Sequence, residues 1–88
     1  MGLAIGPDGG IYVAEYFADR VVKVKPDGSR IIVAGSGVGW GDPGDGGPAL
    51  AASVTYPFSV AIAPDESLYI GEYYHSIRRV GKTFPGIT

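Results

Sequence analysis

Residues 2–17 read GLAIGPDGGIYVAEYF, and residues 59–74 read SVAIAPDESLYIGEYY. The two stretches align without a gap at a spacing of 57. Ala4 and Ala61, Ile5 and Ile62, Pro7 and Pro64, Asp8 and Asp65, Tyr12 and Tyr69, Glu15 and Glu72, and Tyr16 and Tyr73 are identical, and most other pairs are conservative. Further on, Arg20-Val-Val-Lys-Val24 matches Ser76-Ile-Arg-Arg-Val80 once one residue is dropped from the second loop. Self-similarity at a fixed period marks repeat architectures, whose units cannot bury their apolar faces alone. The chain is therefore read as two copies of one unit.

Each copy breaks into short apolar runs divided by turn residues. A strand over 3–6 ends at Pro7-Asp8-Gly9-Gly10. Proline presets φ for a turn, aspartate bonds its own backbone, and glycine accepts positive φ. A second strand, 10–14, puts Ile11 and Val13 on one face and Tyr12 and Ala14 on the other, because side chains alternate. Loop 15–19 leads to a strand over 20–25, with Val22 and Val24 expected to point inward. Pro26-Asp27-Gly28-Ser29 repeats the turn chemistry before a β-branched fourth strand at 30–34. The second unit gives strands at 60–63, 68–71 and 77–80. Its fourth strand has to come from 82–88, where Pro85 and Gly86 are poor strand residues. The expected fold is all-β, with two four-stranded antiparallel meanders at residues 1–34 and 58–88 joined by a connector over 35–57. That connector is longer than compact domains leave unstructured. Pro48 is expected to open a helical turn over 49–53, with Asp45 near its N-terminus, where negative charge is favoured.

Composition narrows the classes. A domain of 88 residues buries little more than about 60% of its unfolded surface, so its core is marginal without disulfides, metals or association. The chain has no cysteine and one histidine, which removes disulfides, thiolate sites and any multi-imidazole site within one copy. Association is the remedy left. Apolar residues make up 45% and charged residues 18%, a globular balance rather than that of disorder. The fifteen glycines and seven prolines fall between apolar runs, where they read as turns. A net charge of −2 argues against nonspecific nucleic-acid binding. No apolar run approaches the roughly 20 residues of a membrane span, and the opening residues lack the basic and apolar regions of a signal peptide. A soluble protein is expected, with its compartment open.

Ile11-Tyr-Val-Ala-Glu15 followed by Asp19-Arg-Val-Val-Lys-Val24 resembles the NHL repeat, whose core reads leu-tyr-val-ala-asp followed by asn-arg-ile. Leu68-Tyr-Ile-Gly-Glu72 and Ile77-Arg-Arg-Val80 fit the same frame. Gly44-Asp-Gly-Gly-Pro-Ala49, followed by Tyr56-Pro57, is similar to a connector of bacterial and extracellular NHL propellers. The departures are Glu15 and Glu72 at the family's aspartate, and Asp19 and His75 at its asparagine. The resemblance implies a β-propeller, commonly six-bladed, with four-stranded blades around a channel. Two blades cannot close a ring and leave two apolar sheet faces wanting neighbours. Three copies giving six blades are the simplest closed solution, and four copies giving eight are the second.

Several motifs carry competing readings. Gly39-Trp-Gly-Asp-Pro-Gly44 matches a dinucleotide fingerprint, but Pro43 interrupts it and Asp42 and Asp45 would repel phosphates, so a connector loop is expected. Asp42 and Asp45 form the candidate calcium ligands, although they fall short of an EF-hand pattern. No cofactor is otherwise evident. Glu15 and Glu72 are expected to bond loop amides or an arginine such as Arg20 or Arg78. Tyr16 and Phe17, with Tyr73, Tyr74 and His75, put aromatics on the same loop of both units. They either pack between the units or form an exposed binding rim. His75 lacks a nucleophile or carboxylate placed by sequence to make a dyad. Lys23, Lys25, Arg78 and Arg79 make a modest basic stripe, expected on a solvated edge.

The leading functional expectation is a non-catalytic NHL-type propeller scaffold or binding module. Its partners would be copies of itself and a protein or small-molecule ligand at one loop end. One alternative is a part of an NHL-like propeller enzyme, a lyase or hydrolase with a channel metal. The other is an RNA-binding propeller.

Overall fold

Runs of alternating β-branched, aromatic and small residues form seven strands in the computed structural model, which describes residues 2–36, 48–73, 77–81 and 87. They are β1 (Leu3–Ile5), β2 (Ile11–Glu15), β3 (Arg20–Val24), β4 (Arg30–Ala34), β5 (Pro57–Ile62), β6 (Leu68–Glu72) and β7 (Ile77–Val80). β1 to β4 form one antiparallel sheet in sequence order, and β5 to β7 form a second. Among the described residues the protein is all-β apart from two short 3-10 turns, Tyr16–Ala18 and Ala49–Ala51.

Three turns of one chemistry join the hairpins. Asp8 Oδ1 accepts the Gly10 amide, Asp27 Oδ1 the Ser29 amide, and Asp65 Oδ1 the Ser67 amide, each at 2.9 Å. Backbone bonds close the same ring in all three: Gly9 N to Gly6 O at 3.0 Å, Gly28 N to Lys25 O at 2.9 Å, and Glu66 N to Ala63 O at 2.8 Å. The left-handed position is glycine twice, Gly9 at φ 83° and Gly28 at φ 90°. In the third turn Glu66 takes it at φ 66°.

The two sheets repeat each other in register. Leu3 faces Val13, Ala4 faces Tyr12 and Ile5 faces Ile11. Val60 faces Ile70, Ala61 faces Tyr69 and Ile62 faces Leu68, the same pairs 57 residues on. Tyr12 faces Lys23 and Val13 faces Val22, as Tyr69 faces Arg79 and Ile70 faces Arg78.

The core lies between the sheets. Val21 and Ala34 from the first, Ala49, Ala52 and Val54 from the connector, and Leu68, Ile70, Val80 and Ile87 from the second are buried together. Tyr12, Val33, Val60 and Ile62 pack against them. Fully burying a side chain such as Ile70 contributes about 1.5–3 kcal/mol. Just past β4 the start of the connector bonds the 3-10 turn of its later part, Gly35 N to Ala49 O at 3.0 Å and Ser36 N to Ala52 O at 2.9 Å.

Three expectations need correction. Val22 and Val24 do share one face of β3, but the face packed on the core carries Val21 instead. Val21 and Val22 are both buried and Val24 only partly, and a register shift in the pairing with β4 sets Val21 against Ala34 and Val22 against Ile32, passing over Val33. The helical turn is shorter than 49–53, and Pro48 caps it in an extended conformation rather than starting it. The basic stripe is not a solvated edge throughout: Arg78 is 5% exposed. For the second sheet, Ile87 is fully buried and bridges Val80 antiparallel. Residues 82–86 lie outside the described residues.

Candidate functional site

The loop β2 to β3 and the loop after β6 leave the sheets at the same end. Tyr16 and Phe17 ride on the 3-10 turn Tyr16–Ala18, which Asp19 closes in the left-handed region at φ 54°. Aspartate tolerates that region because its short side chain bonds locally. Here the bond goes further: Asp19 Oδ1 accepts the amide of Tyr56 at 3.0 Å, across 37 residues. Tyr56 is itself held at φ 43°, and its carbonyl accepts the Tyr73 amide at 3.1 Å. Three separate segments are thus stitched through one tyrosine backbone.

Their rings meet. Tyr16 stacks on Tyr56 with centroids 4.8 Å apart and planes 20° from parallel. Phe17 and Tyr73 stand edge-on to Tyr16 at 4.9 and 6.2 Å, and Tyr56 and Tyr73 meet edge-on at 6.4 Å. These separations lie in the range where aromatic pairs attract, at about 0.5–1.5 kcal/mol each beyond area burial. The aromatics therefore do two things. Tyr16, Tyr56 and Tyr73 join the two sheets, whereas Phe17 is 91% exposed. Tyr74 and His75 lie outside the described residues.

A groove of about 500 Å³ runs beside Phe17, lined by Glu15, Tyr16, Phe17, Ala18 and Arg20. Glu15 accepts hydrogen bonds from Arg20 and, at 2.9 Å, from Arg30. The Arg20 guanidinium holds the Glu15 carboxyl below its ordinary value, with partial burial opposing it and Arg30 adding to it. The groove thus offers an apolar wall and an ionised carboxylate flanked by two guanidinium groups. The equivalent Glu72 is enclosed instead. Its Oε2 accepts from Arg78 at 3.1 Å and from the Thr55 amide at 3.3 Å, while Arg78 also donates to the Ser53 carbonyl at 2.9 Å. Both glutamates bond an arginine, as their sequence positions led us to expect.

Two further cations of the stripe, Lys23 and Arg79, are also engaged. Lys23 Nζ is 2.7 Å from Asp8 and lies over the Tyr12 ring, and Arg79 is 3.5 Å from Asp65. Among the described residues no cluster of three or more histidine, cysteine, aspartate or glutamate side chains is placed to hold a metal. Asp42, Asp45 and the 39–44 fingerprint lie outside the described residues. No helix among the described residues is long and apolar enough to cross a membrane.

Tyr56 is the site residue that sequence reasoning missed. Its position has no counterpart in the first unit, so comparing the repeats could not single it out. Its signals were its place in the Tyr56-Pro57 pair that ends the connector and its position at the start of a strand. No protein-family model matches the chain, and no curated protein matches it.

Proposed function

We propose that the chain is a non-catalytic, two-bladed module of a β-propeller resembling the NHL type, which joins copies of itself into a closed ring and binds a partner on its aromatic end. The observation that carries this reading is the repetition of register, turn bonds and ion pairs from one sheet to the other. Two identical frames packed face to face are what consecutive blades require. Three copies would supply six blades.

The binding half of the reading rests on Phe17. An exposed phenylalanine beside a groove with paired charges suits a protein segment or small molecule that offers an apolar group with polar edges. The RNA reading loses support from the pairing of Lys23, Arg78 and Arg79 with carboxylates, which leaves less charge for phosphates.

The test is an NMR screen of isotope-labelled protein against short peptides and oligosaccharides. Shifts from any hit are expected at Glu15–Arg20, Tyr56 and Tyr73 and are lost in Phe17→Ser. Hits that map to the opposite turns, around Pro7 and Pro64, would contradict the assignment.

A further inference from the structure

The internal repeat also says what should cover the two outer faces of the molecule. Leu3, Ile5 and Ile11 share one face of the first sheet with Val13, Val22 and Val24, by strand alternation and register. Their counterparts in the second sheet are Val60, Ile62, Leu68, Ile70, Arg78 and Val80. That second set faces the first sheet: Leu68 is 4% exposed and Ile70 fully buried. Among the described residues the first set is uncovered along β1, where Leu3 is 65% exposed and Ile5 69%.

The opposite faces obey the same rule in reverse. Ala14 and Val21 are fully buried against the second sheet, with Tyr12 packed on the core. Their counterparts Gly71, Ile77 and Tyr69 lie on the far side of the second sheet, where Ile77 is 75% exposed. Even the ion pair follows: the Lys23 side chain is 16% exposed where a sheet covers it, and Arg79 is 45% exposed where none does. Each exposed face is therefore the repeat of a face already buried, and the partner that buries it is known from inside the chain.

We infer that the Leu3–Ile5–Ile11 face of one copy docks on the Ala61–Tyr69–Ile77 face of the next, reproducing between copies the packing seen between the two sheets. This rests on reading the sheets as equivalent repeats. The contact is heterologous, each copy offering two different faces, so it propagates until it closes. A two-fold dimer burying one face against itself is the arrangement it excludes.

The experiment uses two variants at exposed positions, Ile5→Glu and Ile77→Glu, each checked for native circular dichroism. A carboxylate buried without a partner should weaken association by about 100-fold or more. Sedimentation of wild type is expected to show a closed multi-copy species, and each variant alone to be monomeric at the same concentration. A 1:1 mixture is expected to give a two-copy species and nothing larger, because one good face remains on each variant. Should Leu3→Lys behave as Ile5→Glu does, the blocked face is confirmed independently of that one position. If wild type assembles but Ile77→Glu assembles equally well, or the mixture stays monomeric, the docking is wrong while self-assembly stands. A wild-type chain that remains monomeric at millimolar concentration overturns both, and assigns the faces to sheets of another chain.

Discussion

Glu66 and Gly9 occupy the same turn position, and their difference isolates the cost of a side chain in the left-handed region. The turn bonds are the same in both, yet Glu66 holds φ 66° where Gly9 holds 83°. A side chain there costs about 1–2 kcal/mol, part of which glycine loses to its greater unfolded freedom. Glu66→Gly should therefore stabilise the protein by roughly 0.5–1 kcal/mol, read as a higher urea midpoint with unchanged slope. A lower midpoint would show that the glutamate side chain outweighs its backbone strain. Glu72 makes the opposite case. Its ion pair with Arg78 is almost wholly enclosed, with side-chain exposures of 8% and 7%. Glu72→Ala takes the enclosed carboxylate away from the Arg78 guanidinium, at a cost of about 3–5 kcal/mol. The double variant Glu72→Leu, Arg78→Met should recover much of that loss, since both members of the enclosed pair are removed together. A double variant as unstable as the single would show that Arg78 matters chiefly for its bond to Ser53.

At the level of strands and turns, the hairpin geometry carries a pH dependence. Asp8 is held below its ordinary pKa of 3.8 by Lys23 first and then by the Gly10 amide. Asp65 is lowered by Ser67 and then Arg79, and Asp27 by Ser29. Glu15 is lowered from 4.5 by Arg20. Lower in the folded state than in the unfolded one, these groups stabilise the fold above the ordinary carboxylate range. Their contribution is lost as pH falls through the depressed folded values. Lys23 is raised above 10.5, chiefly by Asp8, so its contribution is full below that value and fades as pH rises through the raised one. Asp8→Asn should flatten both limbs of the stability profile, and high salt should weaken the effect because the Asp8 end of the pair is exposed. A profile unchanged by the substitution would remove this pair from the account.

Turns of this kind were legible because proline, aspartate and glycine act through their own backbone. The glutamate–arginine pairs were legible for the related reason that charged groups at strand ends must find partners. What sequence could not give was the burial of each face. Alternation assigns Leu3 and Val60 to equivalent faces, but only packing makes one exposed and the other part of the core. The shift in the β3–β4 pairing, which passes over Val33, was hidden as well, since the β-branched run Ile31-Ile32-Val33 reads equally well in either phase. Tyr56 stayed out of view because its role comes from Asp19, 37 residues away.

Gly35 links the strands to the whole. It ends β4 at φ 97°, and a Cβ there would stand 2.5 Å from the Asp19 carbonyl oxygen and 2.8 Å from Arg20 Cα. The same glycine donates to Ala49, so it fixes the connector against the loop that carries Tyr16 and Phe17. Gly35→Ala should destabilise the protein by more than about 1 kcal/mol and loosen the aromatic end, read as lost tyrosine near-ultraviolet dichroism. Retained dichroism at unchanged stability would uncouple connector and site.

At the scale of the molecule, the repeated register leaves one question above the others, which is what stands against the two uncovered faces. The mass of the wild-type chain in solution, measured across concentration, answers it most directly. The account predicts a discrete species of about three times 9.1 kDa, six sheets closing one ring. A chain that stays at 9.1 kDa throughout, or grows without a defined stoichiometry, would contradict it.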